Sequence, residues 1–118
     1  MNGLRPLALA IMLAVGGCAR DEHLSEEPAQ AAIQIQSWVP VGTLLADAQH
    51  LMEQHHFACS VMTNSNFGDL KAANYLYCDR RVTNDLVAPI TVRRWQVALV
   101  LSDGKISALR VTTGLIGP

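Results

Sequence analysis

Cysteine stands at positions 18, 59 and 78, and histidine and glutamate gather in residues 50–56 of this 118-residue chain. Cys59 and Cys78 are too far apart for the Cys-Xaa-Xaa-Cys arrangement that tunes a thiol for redox catalysis. His50 and Glu53 have the three-residue spacing that puts two metal ligands on one helix face, but His55 and His56 are rotated away from that pair. The cluster therefore reads as surface and helix-end histidines, favoured near the negative C-terminal pole of a helix, and no metal site is expected. No Ser-His-Asp arrangement, paired-carboxylate motif or phosphate-cradling glycine loop stands out. Asp79 and Asp85 flank Arg80-Arg81 in the manner of a solvated strand end. The chain is accordingly expected to be no enzyme and to use no cofactor. Arg93-Arg94-Trp95 is the remaining candidate. A β alternation that buries Trp95 sends Arg94 to the opposite face, with Gln96 and Arg110. Arginine is enriched at protein interfaces because its planar fork matches carboxylates. Arg94, Gln96 and Arg110 are thus the candidate partner-binding residues, against the alternative of an ordinary polar sheet face.

Around Cys18 the pattern is one of export. Arg5 precedes an apolar run over residues 6–15, small residues follow, and the chain turns polar at Arg20-Asp21-Glu22. This is the layout of a secretory signal, and the run is too short to span a bilayer, which needs roughly 20 apolar residues. Val15-Gly16-Gly17-Cys18 resembles the lipobox of bacterial lipoproteins. The resemblance implies a diacylglycerol on the Cys18 thiol, cleavage just before it and acylation of the new amino terminus. Two or more chains make a stable membrane anchor where one is marginal. An ordinary signal peptide with a chance cysteine is the alternative. Ala19 stands where a retention Asp would, so by resemblance to enterobacterial sorting the outer membrane, at its periplasmic face, is expected rather than the inner. Lipidation of Cys18 would also resolve the odd cysteine count and leave Cys59 and Cys78 as a pair. In an oxidising compartment a disulfide between them is expected, closing about twenty residues and contributing roughly 3 kcal/mol.

Composition limits what remains. Removing residues 1–17 leaves about a hundred, enough for one domain with a real core. Nine Lys plus Arg against ten Asp plus Glu give no field to draw a phosphate backbone, so nucleic acid is not an expected partner.

The expected organisation is a signal over residues 1–17, the lipidated cysteine and a flexible tether over 18–37, and a globular domain over 38–118. The tether is inferred from charged, unpatterned sequence at Arg20-Asp21-Glu22-His23 and Ser25-Glu26-Glu27-Pro28. Ile33 and Ile35 alternate weakly, as a short edge strand or a frayed helical turn. Thr43 is the expected N-cap of an amphipathic helix over residues 44–56, whose apolar stripe is Leu44, Leu45, Ala48, Leu51 and Met52. Strands are expected near residues 57–62, with Phe57, Cys59 and Val61 on one face, and near 74–82, with a turn-rich loop over 63–69 between them. A loop over 83–86, kept irregular by Pro89, precedes a final hairpin over 91–101 and 105–113. Two hairpin registers compete. A two-residue Asp103-Gly104 turn would pair Val97 with Arg110, whereas a three-residue loop pairs Val97 with Leu109, Trp95 with Val111 and Gln96 with Arg110. Burying a charge costs more than a bulge, so the second is preferred. The fold class is then α+β, one amphipathic helix on a three- to four-stranded antiparallel meander.

The lipobox and tether, the helix entry Val41-Gly42-Thr43-Leu44-Leu45 and the hairpin at Asp103-Gly104 resemble small outer-membrane lipoproteins of the BamE/SmpA type, which share their fold with β-lactamase-inhibitor-like domains. The resemblance implies this architecture over most of residues 41–113. The expected function is that of a structural or adaptor lipoprotein contacting another envelope protein. A periplasmic inhibitor of a hydrolase is the alternative.

Overall fold

The computed structural model describes residues 23–84 and 91–116. Over these residues the chain is α+β. Helices α1 (Pro28–Trp38) and α2 (Leu45–Gln54) precede strands β1 (Ala58–Phe67), β2 (Leu70–Asn84), β3 (Thr91–Ser102) and β4 (Lys105–Ile116). The strands form one antiparallel sheet in the order β1-β2-β3-β4. The signal region and Cys18 lie outside the described residues, as do Asp85, Leu86 and Pro89 of the expected loop, while Thr83 and Asn84 belong to β2.

The core lies between the helices and one face of the sheet. Ladder rows Cys59–Cys78–Val97–Val111 and Val61–Leu76–Leu99–Leu109 carry its sheet side. Leu76, Cys78, Val97 and Leu99 are buried, Leu109 and Val111 pack against them, and Val61 at the end of its row stays exposed.

Helix α1 corrects the expected tether. Ala31 and Ile35, one helical turn apart, are buried with Leu24 and Val39, so the packed domain begins at residue 24 rather than 38. Charge in residues 20–27 concealed this, although Pro28 in the first turn is a helix-start signal. The segment before the helix is fixed to the sheet by its backbone. The Trp95 indole Nε1 donates to the Ser25 carbonyl at 2.7 Å and the Thr113 hydroxyl to that of Glu26 at 2.8 Å. Gln34 reaches back from α1, accepting from the Ser25 amide at 2.7 Å and donating to the His23 carbonyl at 3.0 Å.

Helix α2 buries Ala48 and Met52, with Leu45 and Leu51 partly covered and Leu44 exposed. Its N-cap is Leu44, without a side-chain cap, rather than Thr43, whose hydroxyl turns back to the Pro40 carbonyl at 2.6 Å. That turn frees the Thr43 backbone to accept from the Ile106 amide at 2.8 Å, so the helix entry is stitched to the start of β4. At the other end His56 adopts a left-handed φ of 70°. The Phe57 and His56 amides then donate to the Met52 and Glu53 carbonyls, at 3.1 and 3.0 Å. This is a Schellman stop, with buried Phe57 and Met52 as its apolar contact.

The final hairpin follows neither expected register. Asp103 and Gly104, at φ 54° and 75°, make a two-residue turn that pairs Leu101 with Ile106. Beyond it Val100 pairs with Ala108, so Ser107 is the extra residue of a bulge. Val97 therefore meets Val111, Trp95 meets Thr113, and Arg110 meets Ala98. The bulge accommodates both the tight turn and an outward Arg110. A slip of two residues from the preferred register leaves each side chain on its expected face.

The first hairpin is longer than expected, because residues 63–67 continue as strand to the Gly68-Asp69 turn. Register shifts between Met62, Ser65 and Phe67 bend it. Its tip reaches across the outer face as far as β4, where Asp69 pairs with Arg110 at 3.1 Å. Under this arch the Phe67 ring lies 5.9 Å from Tyr75 and 6.2 Å from Tyr77, and Tyr75 and Ala98 are buried.

Candidate functional site

Directly opposite one another on β1 and β2, Cys59 and Cys78 occupy a single ladder row, so the expected pair is brought together. Both are free thiols in this structure. A hydrogen bond to its neighbour Cys59, which holds the proton on Cys78, and then burial, push the Cys78 thiol far above its ordinary pKa. Cys78 is fully buried and Cys59 partly so, which makes Cys59 the entry point for any oxidant.

The outer sheet face assembles the expected arginines differently. Arg94 donates from Nε to Asp79 at 2.8 Å, and Asp79 also receives Arg81 at 3.1 Å. Tyr77 is the second hub: its hydroxyl accepts from Gln96 at 2.8 Å and from Arg94 at 3.4 Å. The Asp79 carboxylate raises the Arg94 pKa further above its usual range. Arg110 shares this face but belongs to the hairpin arch, where its guanidinium holds the Asp69 carboxyl below the ordinary range. Arg94 and Arg110, expected together as partner-binding residues, are thus both engaged within the domain. Each already has an internal carboxylate, and Gln96 joins Arg94 through Tyr77 rather than facing Arg110. Asp79 and Tyr77 are the site residues that sequence reasoning missed. Their signal was the β alternation of residues 75–81, which the solvated reading of Asp79 set aside.

The histidines occupy structural positions. His50 Nε2 lies 3.3 Å from the Gln54 amide nitrogen, His55 stacks on Trp38 with ring centroids 3.7 Å apart, and His56 closes α2. Among the described residues, no group of three or more His, Cys, Asp or Glu side chains is placed to hold a metal.

A cleft of about 460 Å³ opens where the N-terminal segment meets the far end of the sheet. Val82, Trp95 and Leu115 form its apolar walls, and His23, Glu26 and Arg93 its polar ones. Arg93 and Glu26 pair across it at 2.9 Å, and the Arg80 guanidinium lies 5.5 Å from the centre of the Trp95 ring. The sequence concealed this cleft because one of its walls fell in the supposed tether.

No family model matches the chain, and neither a curated protein nor a solved structure matches it. Among the described residues no helix is long and apolar enough to cross a membrane.

Proposed function

We propose that this chain is a bacterial envelope lipoprotein, anchored through Cys18, whose α+β domain acts by contact with another envelope protein. The observation that carries the reading is Val15-Gly16-Gly17-Cys18 directly after a charged start and an apolar run. The likeness to BamE/SmpA-type lipoproteins is part of the same proposal. It rests on that lipobox, on the helix entry at residues 41–45 and on the Asp103-Gly104 hairpin.

The contact surface fitting this role is the Tyr77–Asp79–Arg94–Gln96 network. Its groups are half-buried and held by one another, so a partner would meet side chains whose rotamer freedom is already spent. Affinity capture from detergent-solubilised envelopes tests it, with Asp79→Asn combined with Arg94→Gln as the probe. The double change removes both charges of the Arg94–Asp79 pair and leaves only the solvent-exposed Arg81 without its carboxylate, so the fold should stand while capture falls at least about tenfold. Undiminished capture of the same membrane assembly would remove this surface from the proposal, and recovery of a soluble hydrolase would replace the adaptor role by an inhibitory one.

A further inference from the structure

Between Cys18 and His23, the first described residue, the chain advances only five positions. Fully extended, that connector reaches about 18 Å. Leu24 is buried and Ser25 is hydrogen-bonded to Trp95, so the connector leaves the domain at the level of the Trp95 row. The sheet itself runs on past that row to Thr91, four residues further, or about 13 Å. Counted from Ser25, Cys18 is seven positions away, about 25 Å fully extended, so the chain outreaches the end of the sheet by at most about 12 Å.

What the sheet presents there is unlike the rest of the surface. Beyond the Trp95 level the ladder rows are Arg81–Arg94–Gly114, Val82–Arg93–Leu115 and Thr83–Val92–Ile116. With Arg80 opposite Trp95, every charged residue in these last rows is an arginine. Asp79 and Glu26 engage three of them from outside those rows. Val82, Leu115 and Ile116 are 41%, 61% and 41% exposed, three of the seven large apolar side chains open to solvent among the described residues. Val82 and Leu115 flank Arg93 at the mouth of the cleft from which the connector departs.

We propose that this end of the sheet is a membrane-contact surface, resting Arg80, Arg81, Arg93, Val82 and Leu115 on an anionic phospholipid bilayer. The inference rests on Cys18 being the anchor. A short connector, an apolar rim and guanidiniums that bridge to phosphate all point the same end of the domain at the headgroups. The anchor then fixes orientation as well as location, leaving the helix entry and the Asp103-Gly104 turn, at the opposite end, facing away from the bilayer.

The test uses the mature chain with Cys18→Ser, which keeps every described element but carries no acyl chain, and vesicles of phosphatidylethanolamine with about a third phosphatidylglycerol. It should sediment with these vesicles, lose them in high salt, and ignore neutral phosphatidylcholine vesicles. Arg81→Gln with Leu115→Ser, both at exposed positions, should weaken sedimentation about tenfold or more with an unchanged melting temperature. Ile33→Ser, equally exposed but on α1, should change nothing. Failure of the unacylated chain to bind, or equal binding by the double variant, overturns the membrane face. Absence of an acyl group on Cys18 in cells would overturn the anchor alone and leave vesicle binding as a separate result.

Discussion

His56 holds a left-handed backbone conformation that costs an L-residue with a Cβ roughly 1–2 kcal/mol, and it does so to complete the stop of α2. Glycine fits that position without the penalty, though it adds freedom to the unfolded chain. His56→Gly is therefore expected to raise stability by up to about 1 kcal/mol, read as a higher urea midpoint at constant slope. A lower midpoint would show that the imidazole contributes more through its contacts than the backbone strain removes. At Cys59 and Cys78 the shared ladder row makes oxidation a local event. Protein taken from an oxidising periplasm should show the non-reducing intact mass diminished by the lost thiol hydrogens. Reduction should then lower its melting temperature by about ten degrees or more, the size that roughly 3 kcal/mol implies for a domain this small. An unchanged mass would mean the thiols remain free as in this structure.

Helix α1 is where sequence and structure part most. The chain from residue 44 onward was legible because apolar periodicity there is strong: Ala48 and Met52 on the helix, Trp95, Val97 and Leu99 on the sheet. Residues 23–38 were not, because Ala31 and Ile35 are too few to outweigh the charges before them. Their burial depends on core partners far away in sequence, such as Trp95, Val97 and Leu99. The hairpin register was hidden for a related reason: a bulge at Ser107 has no marker in its own residue type. Of the candidate site, Arg94 and Gln96 followed from alternation and the cysteine pair from the odd cysteine count, whereas Asp79 and Tyr77 emerged only once β2 and β3 were in register. If α1 belongs to the domain, Ile35→Ala should cost about 2–5 kcal/mol, the loss for a large buried aliphatic side chain. Ile33→Ala on the exposed side should cost little. Equal, small effects in chemical denaturation would return residues 28–38 to the role of a tether.

At the scale of the whole molecule, the described fold puts its two polar devices in different places. The Tyr77–Asp79–Arg94–Gln96 network lies on the outer face, and the arginine-rich rim at the end of the sheet beside His23. Under the proposed anchoring, the first is left open to a protein partner while the second is held against lipid. Lengthening the connector tests that arrangement as a unit. Inserting about ten flexible residues after Ala19 adds about 17 Å of average reach and should release the rim while leaving the anchor intact. Capture of a partner that must be met at a fixed height above the membrane should then fall, and unchanged capture would mean that height is irrelevant.

The proposed anchoring depends on the modification at Cys18, which metabolic labelling with a palmitate analogue reads directly. The account predicts label on the wild-type protein in the membrane fraction, and none on Cys18→Ser, which should accumulate as unprocessed precursor or soluble chain. Equal incorporation into both proteins, or none into either, would contradict it.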